Sequence, residues 1–376
     1  MQTIEQQQQS VDIPESVFVA QTCIESESEP KEIAIQRIMD SAVEQLGSGQ
    51  DRVYTSHKKK ESSEEWTMAV WDGHGNEFEL NPYNGRYHKH NFTMLVLDRM
   101  ITMKDPEDDS KFVIDNILER DIFGEEDPAL ALQRAFGEEC IKRKRSMKHT
   151  GSTFTLVKVK HEFADRTIQV DILSVGDSTA VIYENGEKVF ETVAHSPSNL
   201  EEIERLKKEN RLNKREPFTN SRNFEVLNET TCCNKVSQYV NVGDLMLAST
   251  QSLGHLVYNC KELVDEKGAY GLCPSKRRII FSDTADINIK LFSDGVSDII
   301  YPNMIKSDMC FMSESNARAT VNLAKFRWNQ NWKICAKSSW EKNLKTGEPI
   351  VYTNECFSFV GGGADDVCCV SWIQRK

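Results

Sequence analysis

From residue 51 onward, short runs of β-branched and aromatic residues recur, each bounded by a polar or glycine-containing break. "DRVYTS" (51–56) and "WTMAVWD" (66–72) flank the polar stretch "HKKKESSEE", and "STFTLVKVK" (152–160) and "TIQVDILSV" (167–175) form a second pair. Runs of this kind predict strands. In "STAVIYENGEKVFET" (178–192), Asn185-Gly186 supplies the positive φ of a type I′ turn and predicts a hairpin. "INIKLFS" (287–293) and "DVCCVSWI" (366–373) complete the strand set. Helical spacing of apolar residues appears in "HNFTMLVLDRMI" (90–101) and "PALALQRAFGEECIKRKR" (128–145). In "SPSNLEEIERLKKENRL" (196–212), Ser198 with Glu201 three residues on predicts a capping box opening a charged surface helix. "KEIAIQRIMDSAVEQL" (31–46) fits a helix, yet "EIAIQRI" alternates like a strand, and the pattern alone leaves both open.

Strands outnumber helices and come in hairpin-like pairs, which predicts an α+β layered domain rather than alternating βαβ units. Residues 1–30 ("EQQQQS", "ESESEP") are rich in Gln, Glu and Ser and read as a disordered tail. No linker-like break follows, so residues 31–376 read as one domain. The formal net charge of -12 argues against a general nucleic-acid partner, which would demand basic surface, and suits a chain that meets phosphates through cations. The opening residues carry no readable signal peptide and no stretch reaches membrane-helix length, so the expected setting is intracellular and cytoplasmic, without a membrane partner. The 11 cysteines form no Cys-x-x-Cys pair, so buried free thiols are expected. "KRKRSMKH" (142–149) reads as a basic helix end on a solvated face, and His88 and His90 as part of a solvated loop.

The chemistry concentrates where strand-like runs end. Asp51 opens one run, Asp72 closes "TMAVW", and Asp177 follows "ILSVG". Asp294 closes "IKLFS", and Asp365 with Asp366 opens the last run. Strand ends converge at one edge of a sheet, and gathered carboxylates repel unless a cation neutralises them; oxygen-rich sites favour magnesium or manganese. In "AVWDGHGN" (69–76), an Asp72 that bridges two metals would be followed by Gly73, whose carbonyl could approach one of them, and by His74, an ionisable ring suited to protonating a leaving oxygen. Two cations can acidify a shared water, so no protein nucleophile is needed, and neither a serine elbow nor a P-loop competes for the role.

Six ordered stretches carry a family resemblance: "GQDR" (49–52), "AVWDGHGN" (69–76), "HTGSTFTLV" (149–157), "ILSVGDSTAVIYENGE" (172–187), "LFSDGVSDII" (291–300) and "GGADDVCCV" (362–370). Together they resemble the metal-dependent Ser/Thr phosphatases of the protein phosphatase 2C type. The resemblance implies a four-layer α-β-β-α sandwich of two antiparallel sheets flanked by helices, with a two-metal site at one end. It implies Asp72 as bridging ligand, Gly73 as carbonyl ligand, Asp294 and Asp365 as the remaining acids, and Asp51 beside a metal-bound water. His74 matches the general acid, and Asp177 and Asp298 match acids that hold a weaker third metal in some members. The implied cofactors are two Mn²⁺ or Mg²⁺ ions, the implied substrate a phosphorylated protein, and the expected state a monomer.

Departures stand beside the matches. Leu46 occupies the position of a phosphate-gripping arginine, with Arg52 or a nearby lysine as the candidate substitute, and Gln50 that of a metal-binding glutamate. Ala194 replaces the acid of a "Thr-x-Asp-His-x-Pro" segment, and Gln251 and His255 replace the arginine and aspartate of a "Ser-Arg-x-Leu-Gly-Asp" stretch. They motivate an alternative function, a catalytically weak or inactive phosphatase-like binding module.

Overall fold

The computed structural model describes residues 35–80, 83–227, 232–300, 306–329, 331–342, 349–351, 355–358 and 364–376. The Gln/Glu/Ser-rich segment 1–30 lies outside the described residues. Two five-stranded antiparallel sheets form the centre. One runs in the order β2 (Arg52–Lys59), β3 (Ser63–Trp71), β8 (Phe154–Glu162), β9 (Thr167–Val175), β18 (Ser275–Ser282). The other runs β1 (Gln36–Glu44), β23 (Val367–Arg375), β19 (Ile287–Phe292), β10 (Thr179–Glu184), β11 (Glu187–Glu191).

The two-residue period of a strand explains how these sheets are covered on both faces. In β3, Trp66, Met68 and Val70 enter the core between the sheets, while Ala69 and Trp71 enter the core under the first helices. In β23, Cys368, Val370 and Trp372 face the other sheet, while Val367 and Cys369 face the second group of helices. Central strands buried on both sides therefore read as continuous apolar runs. Outside the first sheet lie α1 (Phe92–Thr102), α2 (Val113–Leu118) and α3 (Pro128–Arg143). Outside the second lie α5 (Asp294–Ile300), α6 (Lys306–Glu314) and α7 (Ala317–Trp328). The result is the four-layer α-β-β-α sandwich.

The ambiguous segment before residue 46 is a strand. β1 pairs along its whole length with β23, from Gln36↔Arg375 to Glu44↔Val367, so a partner more than 300 residues away decides what local spacing left open. Asn185 and Gly186 take φ of 51° and 85°, as the β10–β11 turn requires. The helix α4 (Leu200–Lys208) starts one residue later than its sequence signature: Asn199 Oδ1 accepts from the Glu201 amide at 3.1 Å, while the Ser198 hydroxyl meets Ser196 at 2.7 Å. His88 and His90 lie not in a loop but in a hairpin of β5 (Glu77–Leu80) and β6 (Tyr87–His90). The six cysteines with described side chains are unpaired, but only Cys140, Cys368 and Cys369 are buried.

A further sheet has no counterpart in the sequence reading. It joins β14 (Leu245–Leu247), β13 (Cys232–Val242), β12 (Phe218–Leu227), β20 (Asn331–Lys342) and β21 (Pro349–Val351), with β22 (Glu355–Ser358) also on β20. Within it β12 and β13 pair antiparallel, from Phe218↔Val240 to Leu227↔Cys232. Two smaller units complete the molecule: β4 (Gly73–Gly75), β7 (Met147–Ser152) and β15 (Leu253–Leu256) pair as three strands, and β16 (Tyr258–Asn259) pairs with β17 (Glu262–Leu263). No helix among the described residues is long and apolar enough to cross a membrane.

The strand ends that matter lie together. Arg52 pairs with Trp71, Thr179 with Phe292, and Phe292 with Cys369, so the residues flanking these positions share one end of the sandwich. Gly295 permits the closest approach there: a Cβ on it would lie 1.9 Å from the Asp366 carbonyl oxygen. Its own carbonyl accepts from the Trp328 indole at 2.7 Å, which ties α5 to α7. Gly295→Ala is therefore expected to destabilise the chain by about 3 kcal/mol or more through overpacking against backbone. Chemical denaturation measures this, and a loss below about 0.5 kcal/mol would show that the approach is not close.

Candidate metal centre

Asp294 is the first residue of α5 and Asp298 stands one helical turn later, on the same face. Asp365 directly precedes the Asp366 that leads into β23. Carboxylate oxygens of Asp294, Asp298 and Asp365 lie within 4.8 Å of one another, close enough to share a cation. Asp72 follows β3 and joins this group: burial, then the charges of Asp294 and Asp51, a hydrogen bond with Asp294 and the charge of Asp365 hold its carboxyl well above the usual range. Asp51, at 1% exposure, is pushed up to about 7, chiefly by burial and against the pull of a 2.7 Å hydrogen bond from the Ser293 hydroxyl.

The carboxyl groups of residues 51, 72, 294 and 365 thus lie near one another. Asp298 belongs with Asp294 and Asp365 rather than apart from them, whereas Asp177 is outside that group of three. Asp177 leads into a loop held through Ser178, whose hydroxyl meets Thr153 Oγ1 at 2.6 Å; the Thr153 amide in turn donates to the Asp72 carbonyl at 2.9 Å.

Asp366 is the positioning residue that the motif reading left without a role. Its buried carboxylate accepts from the Gly47 amide at 2.7 Å, the Gln50 amide at 2.8 Å and the Ser48 hydroxyl at 3.1 Å. Those bonds fix the turn that carries Asp51 against the start of β23. Arg52 is also structural. Its guanidinium grips Asp98 at 2.6 and 2.8 Å and donates to the carbonyls of Gly49 and Asp51, so it does not stand in for the missing phosphate-binding arginine. Leu46 packs against the core of the second helical layer.

Gly73 has a packing reason beside any ligand role: an added Cβ would lie 2.6 Å from Met94 Cγ and 2.9 Å from Gln50 Cβ. Gln50 is held by the Asn91 side chain, which also donates to the His74 carbonyl at 3.0 Å and caps α1 by accepting from the Met94 amide at 2.9 Å.

His74 faces a second histidine. Its ring stacks on His255 at 5.2 Å, with Nε2 atoms 3.0 Å apart. His255 Nδ1 donates to the Lys148 carbonyl at 2.9 Å, so its Nε2 carries the lone pair and His74 Nε2–H donates to it. The Ser252 hydroxyl lies 2.9 Å from the same His74 nitrogen. Burial, then the His255 ring, pushes His74 down to about 3, and burial pushes His255 down to about 4. His74 is therefore a neutral ring whose proton is held by a second histidine. The replacement of an acid by His255, visible in "LGHL", was the signal for this pairing.

The donor set fits divalent cations. Burial leads the influences on Asp51 and Asp72, followed by hydrogen bonds from Ser293 and Cys368 for Asp51 and by other acids for both, with no basic side chain among them. Hard, mutually repelling oxygens of this kind suit magnesium or manganese.

Comparison with known proteins agrees with this geometry. The family model described as protein phosphatase 2C matches residues 63–303, well over half of the chain. The matched span contains Asp72, Asp294 and Asp298, while Asp51 and Asp365 lie outside it. Among solved structures, a sex-determining protein of C. elegans is similar at 16% identity and a TM-score of 0.43, with 92% of this chain and 66% of that chain covered. The serine/threonine phosphatase PstP/Ppp of Mycobacterium tuberculosis is similar at 13% identity and a TM-score of 0.38, with coverage of 90% and 98%. Serine-threonine phosphatase 2C of Toxoplasma gondii is similar at 13% identity and a TM-score of 0.38, with coverage of 89% and 99%. No curated protein matches the chain. On the extent of the family match, the chain belongs to the protein phosphatase 2C family.

Proposed function

We propose that the chain hydrolyses phosphoserine and phosphothreonine in proteins, with two manganese or magnesium ions held by Asp72, Asp294 and Asp365 and flanked by Asp51 and Asp298. The observation that carries this reading is the convergence of Asp294, Asp298 and Asp365 within 4.8 Å, with Asp72 hydrogen-bonded to Asp294 of the same group. Bound cations would neutralise the acids and acidify a water for attack on phosphorus. Unpaired thiols support an intracellular setting.

The chain's own residues set the rest. Asp366 and Ser293 hold Asp51 in place, and Asn91 fixes the backbone of His74. As general acid, His74 would first have to take up a second proton, because a neutral ring that gave up its only N–H would be left as imidazolate. A leaving oxygen that needs no proton escapes this demand. A second reading, a weak or inactive module that binds phosphoproteins, is favoured by one observation: position 46 is a leucine packed against the core and Arg52 is committed to Asp98, so neither offers the phosphate a guanidinium.

An aryl phosphate assay with manganese separates the two readings. Activity that disappears with chelator and falls at least about 100-fold in Asp294→Ala supports the enzyme. No turnover by a folded protein supports the module. His74→Ala is expected to lower turnover of a phosphothreonine peptide about 100-fold while leaving the aryl phosphate rate within about threefold; equal losses on both substrates would remove the general-acid role. Stability gives a separate test. A carboxyl whose folded pKa is raised binds its proton more tightly in the native state, so the stability from Asp51 is present below about pH 4 and lost as pH rises through about 7. With chelator, the melting midpoint should fall across that window, and millimolar manganese should raise it most at the upper end. A midpoint indifferent to both would contradict a shared cation site.

A further inference from the structure

A groove of about 500 Å³ runs between α1 and the end of α3, away from the gathered carboxylates. Its floor includes Phe92, Leu95 and Val96, with Leu95 46% exposed, and Arg99, Arg143 and Arg145 stand along its edges. The cations outnumber their partners. Glu139 alone accepts from Arg99 at 3.0 Å and from Arg143, with Lys142 at 3.8 Å. Arg145 meets Glu79 at 3.0 Å, and the Asp98 beside the groove is already matched by Arg52. Lys144 makes no ion pair among the described residues. The Arg143 and Arg145 guanidinium carbons also lie 5.5 and 4.9 Å from the centre of the same Phe92 ring, which draws two like charges onto one aromatic face.

Helix polarity accounts for Lys142 and Arg143 in the last turn of α3 and for Arg99 in the last turn of α1, but not for their gathering on one groove, nor for Arg145 beyond the helix end. The basic cluster that the metal centre leaves unused therefore forms a positive rim around an apolar floor, in a chain whose net charge is -12. An extended polyanion such as duplex DNA or an anionic membrane would meet the acidic remainder of the surface. A short segment senses little beyond a Debye length of about 10 Å.

We propose that this groove docks a short acidic segment of a partner protein, with one bulky apolar residue over Leu95 and carboxylates facing Arg99, Arg143 and Arg145. The inference does not rest on catalysis. Its test is fluorescence anisotropy of the full chain with a labelled Glu/Asp-rich dodecapeptide carrying a central leucine. Binding should weaken about tenfold or more in R143E/K144E, and again at high salt, while the distant control K188E leaves it unchanged. Leu95→Ser should weaken binding of this peptide but not of its leucine-to-serine version, and it serves alone if the double variant fails to fold. Equal affinity in R143E/K144E, equal affinity for an uncharged peptide, or tighter binding to duplex DNA or to phosphatidylserine vesicles would overturn the proposal.

Discussion

The structure depends on the repulsion it builds at one end of its sandwich. Burial, with the charge of neighbouring acids added to it, raises the proton affinity of Asp51 and Asp72; Asp294 acts on both, and Asp365 on Asp72. Such a cluster is unfavourable by itself, because charged groups removed from water demand either a partner or a proton. The surrounding fold accepts that penalty through fixed bonds around the cluster: Asp366 on the 47–50 turn, the Ser293 hydroxyl on the Asp51 carboxylate, and Trp328 on the start of α5. A divalent cation converts the same repulsion into attraction.

The second consequence concerns the groups around the acids. Of the five positions where the family motifs carry charge and this chain does not, two bear on the phosphate and its leaving group. Leu46 is apolar and packed, and His255 is an imidazole where an aspartate is usual in the motif it resembles. The first removes a bidentate grip on phosphate. The second gives His74 a neutral acceptor instead of a carboxylate, and a neutral acceptor in a buried site does not favour imidazolium. These substitutions leave the cation ligands untouched while altering how a phosphate would be held and its leaving group protonated.

Much of this was legible in the sequence, for physical reasons. Strands buried on both faces announce themselves as apolar runs, and acids at their ends are conspicuous because nothing in a buried strand calls for them. β1 was not legible, since its register is set by β23 across the whole chain. Nor was the sheet built from β12, β13 and β20, whose polar sequences resemble loops until they pair. At the site, Asp366 was hidden by its neighbour Asp365: two adjacent carboxylates look alike in sequence, and only backbone direction sends one to the cluster and the other to the Gly47 and Gln50 amides. Arg52 looked available for phosphate because Asp98, 46 residues on, gave no local sign of pairing with it.

The most direct test is an anomalous diffraction map from crystals of the full chain soaked in manganese. The account predicts manganese peaks bounded by the carboxylates of Asp72, Asp294 and Asp365. A well-ordered site with those three side chains in place and no anomalous density among them would contradict it.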